Sequence, residues 1–457
     1  MEFFFNVDTS FPIGYLYLRY LSFFPWNFAF NFLLSGLKLK FEQYYIAPEI
    51  KNNLALLGFK RPTDIQFKSI PSIMKGEDVL AIAQTGTGKT AAFAIPLIDR
   101  IHKNKSSKRT RGIQCIVMVP TRELALQIGG VFRSLAKGTR VTAFSLHGGV
   151  DQDPQIKRLQ DGIDILVATP GRMFDLISQG YIRVDHVDTL VLDEADHMLD
   201  LGFIDDIKYV KRKLTRKHQT LFFSATISDE IKKLAYSQVN SIAIRIQLSP
   251  EDPVSKNVSH FVMSVEMDDK RFFLERFIKD HPGARIIVFV RTRVRAERVG
   301  KAMENVQISS LVIHGEKDQA DRTEVMKKFR EGECNILIAT DVSARGIDIP
   351  DVGYVINFDL PEKAENYVHR IGRTGRGVKK GVAISFCSKD ENDRLQEIQE
   401  LLNKPIEVIR IGKRDYTETI QRPDQKADLQ TLIHDQELWE EKKKKRKESR
   451  RSAKKKR

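Results

Sequence analysis

Ala83-Gln84-Thr85-Gly86-Thr87-Gly88-Lys89-Thr90 follows a short apolar run ending at Ile82 and opens a stretch rich in Ala, Phe and Ile. A strand, a glycine loop and a helix in that order imply a parallel α/β sheet with the loop at a strand's carboxyl end. Glycines free the backbone N–H groups to wrap round phosphates, and the helix N-terminus adds partial positive charge. Lys89 is placed to reach the β- and γ-phosphates of a nucleotide, and Thr90 to ligate Mg²⁺. Ala83 stands where the usual pattern has Gly, a small replacement that the loop should tolerate. A structural turn that happens to read Gly-Lys-Thr is the competing explanation, and the strand-to-helix context weighs against it.

Downstream, Val191-Leu-Asp-Glu-Ala-Asp196 supplies an acidic partner. An apolar strand delivers Asp193 and Glu194 to its carboxyl end, where open α/β sheets place their sites. Asp193 there suits a metal ligand, in part through water, and Glu194 suits a group that orients an attacking water. A solvated acidic turn is the bland alternative. An upstream phosphate loop in the same domain makes it the weaker one.

Between Asp78 and Ile246 short β-branched runs alternate with helical stretches, which implies βαβ units. Strands are expected at Val79–Ala83, Ile113–Val119, Val141–Leu146, Ile163–Ala168, Thr189–Leu192 and Thr220–Phe223. The polar, proline-containing stretch Leu248-Ser-Pro-Glu-Asp-Pro-Val-Ser-Lys256 reads as a linker. The alternation resumes with Ile286–Val290, Ser310–Ile313, Ile336–Ala339, Tyr354–Asn357 and Ala383–Phe386. The expected architecture is two tandem α/β domains with parallel sheets, at 41–246 and 258–411, joined by a flexible linker at 247–257.

A length of 457 residues suits two domains plus tails. Hydrophobic residues at 41% and charged residues at 30% suit soluble, globular material. The formal net charge of +15 points to a polyanionic partner, but it is unevenly spread. Residues 441–457 hold twelve Lys or Arg against Glu441 and Glu448, a net of +10, which leaves +5 for the rest. The segment 412–457 is therefore expected to be a charged, lysine-rich and disordered tail, either tethering a polyanion electrostatically or serving only solubility. Cys115, Cys334 and Cys387 lie far apart with no CxxC pair, which argues against a disulfide framework and against zinc, and fits buried thiols in a reducing cytoplasm.

Residues 1–40 are unlike the remainder, crowded with Phe, Tyr and Trp and without a charge from Tyr20 to Leu37. That run has the length of a membrane span, yet Pro25, Asn27 and Asn31 interrupt it and no signal-peptide cleavage site follows. A membrane anchor, a partner-binding arm and a start codon read too far upstream all stay open. The last is preferred, with Leu37 or Leu39 as a UUG start.

With the phosphate loop and the acidic motif in hand, the chain resembles the DEAD-box ATP-dependent RNA helicases, named for Asp193-Glu-Ala-Asp196 itself. The likeness runs from about Phe41 to Ile411 and implies that both domains are RecA-like. General similarity, including Asn403-Lys-Pro-Ile406, suggests the bacterial RhlE-like branch. The resemblance implies that Phe41 stacks on adenine and that Gln66, at the end of Gly58-Phe59-Lys60-Arg61-Pro62-Thr63-Asp64-Ile65-Gln66, pairs with the base edge. An amide offers a donor and an acceptor side by side, which matches adenine. It also implies that Arg373 and Arg376, in His369-Arg-Ile-Gly-Arg-Thr-Gly-Arg376, act as arginine fingers. Gly346 and Asp348 would contact the ribose. Asp196, Ser224, Thr226 and His369 would couple hydrolysis to unwinding.

RNA is implied at the remaining loops. In the first domain these carry Pro120, Thr121, Arg122, Gly149, Thr169, Pro170, Gly171 and Arg172. In the second they carry Arg291, Thr292, His314, Gly315, Gln319, Arg322, Thr340 and Asp341. Each follows an expected strand, which puts the set on one rim. Thr, Gly amides and Arg suit sugar–phosphate contacts, so binding should be largely independent of sequence. The expected enzyme hydrolyses ATP when RNA is bound, closes two lobes on one RNA strand and opens short duplexes locally. An ATP-gated RNA clamp without productive turnover and a DNA translocase are the competing readings. Intact Lys89, Glu194, Arg373 and Arg376 argue against the first, and the Gln66 segment against the second.

Overall fold

The computed structural model describes residues 40–420 apart from Thr85, 108–111, Ile227, 249–253, 255–256, 342–351 and 376–378. The first lobe holds β1 (Val79–Ile82), β2 (Cys115–Met118), β3 (Ala143–Leu146), β4 (Ile165–Ala168), β5 (Thr189–Leu192), β6 (Gln219–Ser224) and β7 (Ile244–Gln247). These form one seven-stranded parallel sheet in the order β3-β4-β2-β5-β6-β1-β7. The second lobe holds β8 (Val258–Ser264), β9 (Ile286–Phe289), β10 (Leu311–Ile313), β11 (Ile336–Ala339), β12 (Tyr354–Asn357), β13 (Gly381–Cys387) and β14 (Glu407–Ile409). Their order is β10-β11-β9-β12-β13-β8-β14, the same winding repeated strand for strand.

Helices cover both faces of each sheet, so the central strands are buried on both sides and read as unbroken apolar runs. Along β1, Val79 and Ala81 enter one core and Leu80 and Ile82 the other. Along β9, Ile287 and Phe289 face one core and Ile286 and Val288 the opposite one. The two-residue period of a strand explains the split.

Strand order decides which loops meet. Since β5, β6 and β1 are neighbours, the phosphate loop, the acidic motif and Ser224-Ala-Thr226 leave adjacent strand ends. The loops after β3, β4 and β2 form the other half of the same rim. The chain crosses to the second lobe near Val254, which is buried in that lobe's core.

Sequence reading did not find β7, β8 and β14, which lie together at one side of their sheets. β7 shows only one buried residue in four, so no continuous apolar run marks it. The second lobe also runs past Ile411, where a featureless charged tail was expected. Lys413–Ile420 is a helix whose Tyr416 packs on Phe273 with ring centroids 4.9 Å apart and donates to Asp269 Oδ2 at 2.7 Å. Among the described residues no helix is long and apolar enough to cross a membrane. The extension at 1–40 lies outside the described residues save Lys40, as does the tail beyond Ile420.

Candidate active site

The phosphate loop is built on two left-handed glycines, Gly86 at φ 81° and Gly88 at φ 91°. Gly88 directly precedes the helix Lys89–Asn104, and a Cβ there would run into Gln66 Nε2. Gln66 Nε2 donates to Gly88 O at 3.1 Å, while Gln66 Oε1 accepts from Thr63 N–H at 3.0 Å. One amide thus braces the loop that would hold phosphates, with a second N–H and a second lone pair left over in its chemistry. Phe41 is 3% exposed, with Tyr44 and Phe59 at 5.8 and 6.2 Å between ring centroids. Thr87 Oγ1 donates to Gln84 O at 2.8 Å. Lys89, itself buried, donates to Ala83 O at 2.8 Å, closing the loop on itself, and Thr90 is half-buried beside it. Thr85 lies outside the described residues.

Asp193, Glu194 and Asp196 are all buried at the end of β5, and each is set differently by its surroundings. Burial drives Asp193 up to about 7, and nearby Lys89 only partly offsets it. Burial would raise Glu194 as well. A hydrogen bond and charge from His197, 3.5 Å away, together with Arg373 and His369, outweigh it and hold Glu194 at about 2. Glu194 also sits at φ 53°, a left-handed conformation that costs a non-glycine residue energy and is commonly kept at functional positions.

Asp196 joins the lobes. Its Oδ2 accepts from Ala225 N–H at 3.1 Å, Thr226 N–H at 3.0 Å and Thr226 Oγ1 at 2.9 Å, and His369 Nε2 of the second lobe lies 3.4 Å away. Against the penalty of burial, these donors hold the carboxyl well below the usual carboxylate range. Ser224 Oγ donates to Thr226 O at 2.9 Å, shaping the turn that presents those amides. Arg373 is buried, its Nε donating to His369 O at 3.0 Å. Gly346, Asp348 and Arg376 lie outside the described residues.

The other half of the rim also bridges the lobes. Arg322 pairs with Glu123 at 2.7 Å, Arg122 Nη1 donates to Gln319 Oε1 at 3.4 Å, and Lys363 pairs with Asp200 at 2.7 Å. The lobes are therefore closed on each other. Gly149, at φ 77°, lies where a Cβ would collide with Arg122 Nη1. Arg172 donates to Val150 O at 2.9 Å, and Thr169 and Pro170 start the helix that carries Gly171 and Arg172. Thr121, next to Pro120, caps its helix by accepting from Leu124 N–H at 3.3 Å, and Thr292 caps another from Arg295 N–H at 3.2 Å. His314, followed by Gly315, accepts from Glu316 N–H through Nδ1, so its Nε2–H donates to Glu297 at 2.8 Å. Burial, then the charges of Arg322 and Arg172, lower Arg122, with Glu123 opposing them. Three guanidiniums crowded together attract an anion.

Two family models match this chain in succession. The DEAD/DEAH box helicase model covers residues 63–234, and the helicase conserved C-terminal domain model covers 269–378. A DEAD-box ATP-dependent RNA helicase CshA from Bacillus cereus is 38% identical over 367 residues, spanning 80% of this chain and 69% of the relative. The chain belongs to the DEAD-box ATP-dependent RNA helicases. The Listeria monocytogenes CshA helicase is 38% identical over 81% of this chain and 70% of its own length. Among solved structures, S. cerevisiae Dbp5 bound to RNA and ADP BeF3 superposes with a TM-score of 0.75 at 32% identity, covering 84% of this chain and 97% of that one. Mss116p bound to ssRNA and AMP-PNP gives 0.76 at 28% identity, covering 85% and 83%.

Three groups in this DEAD-box helicase had no role in the sequence reading. His197 faces Glu194 from one helical turn on, a spacing of three that a helix forecast would expose. Glu123 lies inside a motif otherwise read for its Thr and Arg. Arg370 gives both Nε and Nη2 to Asp341, at 2.5 and 2.9 Å, so the carboxylate expected at RNA is gripped from within. No sequence signal separates Arg370 from Arg373.

Asp193 yields a pH prediction. A carboxyl raised from 3.8 to about 7 favours the fold while protonated, and that contribution fades as pH climbs from about 4 through 7. Asp193→Asn should therefore raise the melting temperature of the nucleotide-free helicase at pH 8 by roughly 2–6 °C, with little change at pH 4. Melting curves at both pH values check it. An equal gain at pH 4 would show that charge is not the cause.

Proposed function

We propose that this DEAD-box helicase opens short RNA duplexes locally, with little sequence preference, by closing both lobes on one RNA strand when ATP is bound. The observation that carries the reading is Asp196, one carboxylate held at once by Thr226 of the first lobe and His369 of the second. A nucleotide seated beside Lys89 and Glu194 would thereby favour closure, and closure joins Arg122 to Gln319 and Glu123 to Arg322 along the RNA rim. Loss of phosphate would weaken the contacts that held the lobes together.

Lys89, Gln84, Gly86, Thr87 and Gly88 would cradle the phosphates, Phe41 and Gln66 would hold adenine, and Gly346 and Asp348 the ribose. Asp193 and Thr90 fit Mg²⁺, because a buried carboxyl pushed to about 7 gains by facing a cation. Mg²⁺ would neutralise phosphate charge there. Glu194 would orient the attacking water, with Arg373 and Arg376 set against the terminal phosphate.

The domain limits follow as 41–246 and 258–411, with the helix Lys413–Ile420 added to the second. RhlE-like placement rests on Asn403-Lys-Pro-Ile406, while the relatives above carry the CshA name. Three buried free thiols suit a reducing cytoplasm, and the basic tail suits ribosomal or RNA-degrading assemblies. Titrating single-stranded RNA into an ATP hydrolysis assay tests the coupling. Turnover should rise by at least about tenfold, within the range two coupled sites commonly give. Turnover indifferent to RNA, or equally stimulated by DNA of the same sequence, would overturn the reading.

A further inference from the structure

Beneath the RNA rim of the second lobe lies a set of buried charges that neither the nucleotide nor the closure contacts use. Lys270, Asp359 and Glu391 are each 0% exposed. Lys270 Nζ bonds Glu391 Oε2 and sits 3.9 Å from Asp359 Oδ1. Glu391 Oε1 accepts from Arg291 Nη2 at 2.9 Å and from Leu360 N–H at 3.2 Å. Asp359 Oδ2 accepts from Arg291 N–H at 3.1 Å and pairs with Arg295 Nε at 2.8 Å.

Arg291, Asp359 and Glu391 follow the carboxyl ends of β9, β12 and β13, three neighbouring strands, and Lys270 opens the helix Lys270–Asp280 that follows β8. The backbone oxygen of Asp359 extends the lattice, accepting at 2.6 Å from Arg370, which grips Asp341 at the end of β11. Four adjacent strand ends are thus fixed to one another by charge. Burying so many ions is costly, and an apolar core of the same volume would hold the lobe at least as well. Ionic pairs add direction. Each carboxylate oxygen sets the place of a particular loop amide or guanidinium, so the lattice fixes geometry where packing alone would fix only volume. Arg291, expected at RNA, turns its guanidinium inward to Glu391.

We propose that Lys270 is a positioning residue for RNA: it fixes Glu391 and Asp359, which hold the Arg291-Thr292 turn in the conformation that receives the strand. The proposal rests on the reading that this rim grips RNA. Its test is the double variant Lys270→Met/Glu391→Gln, which removes one charge of each sign, leaves Asp359 paired with Arg295 and leaves Arg291 an amide oxygen to donate to. In ATP hydrolysis assays on the full chain, the RNA concentration for half-maximal stimulation should rise about tenfold or more, as misplaced binding groups commonly cost. The KM for ATP and the turnover at saturating RNA should stay within about twofold, a split that general loosening of the lobe would not give. Arg295→Gln, on the half-exposed side of the cluster, should shift the same RNA parameter in the same direction. It serves as the deciding variant if the double variant does not fold. An unchanged RNA requirement in a folded variant, while the parent is stimulated normally, overturns the positioning role alone. A parent indifferent to RNA overturns the functional reading and this proposal together.

Discussion

Glu194→Gln should cut RNA-stimulated ATP turnover by about 10²–10³-fold, the range commonly lost when a group that orients or steadies the reacting atoms is removed. The expectation follows from how the carboxylate is held. His197, Arg373 and His369 outweigh burial and keep Glu194 at about 2, so it is anionic throughout the neutral range. An anion there accepts a hydrogen bond from the attacking water and fixes its direction. Glutamine fills the same volume, but it lacks the charge and can turn an N–H toward the water where the carboxylate offers only acceptors. ATP-dependent binding of single-stranded RNA should persist, because the hydrogen-bonded link between the lobes runs through Asp196, which the substitution leaves in place. Steady-state hydrolysis at saturating RNA, beside RNA binding with a non-hydrolysable analogue, measures both. Turnover unchanged in the variant would remove Glu194 from the chemistry.

On the proposed reading Arg373→Ala should be costlier, about 10³–10⁵-fold in turnover, the cost of losing an arginine finger. Arg373 is 4% exposed, fixed through Nε to the His369 carbonyl, and close enough to Glu194 for its charge to lower that carboxyl. It therefore reaches the first lobe only while the lobes are closed. Arg373→Lys should recover little, since an ammonium lacks the planar fork that meets two phosphate oxygens. Binding of ATP to the open enzyme should be nearly normal, because the first lobe alone supplies the phosphate loop. A loss confined to ATP affinity, with turnover intact at saturation, would reassign Arg373 to ground-state binding.

The apolar runs made the central strands legible, and the Gly-Lys-Thr and Asp-Glu-Ala-Asp strings marked the ends of β1 and β5. Two of the four edge strands, β7 and β14, were not legible, because they are largely exposed and carry no unbroken hydrophobic signature, whereas the edge strands β3 and β10 were. Within the site, chemistry near in sequence was readable and chemistry that depends on strand order was not. Asp196 and His369 meet across 173 residues, and only the resemblance suggested it. The roles of Gln66 and Arg291 show the limit more sharply. Residue type says that an amide or guanidinium can reach a ligand, but the fold decides that Gln66 also braces Gly88 and that Arg291 faces Glu391.

The repeated winding gives the chain a further property. Each lobe presents half of a reaction centre on the same kind of edge, so the molecule is a complex between two similar halves that share one polypeptide. The short crossing between Gln247 and Val258 sets how often those halves collide, at an effective molarity on the order of millimolar for a short tether. On the proposed cycle, contacts between the halves as slight as Lys363 with Asp200 would need a ligand's help to keep them shut in solution, and that margin would let the machine reopen.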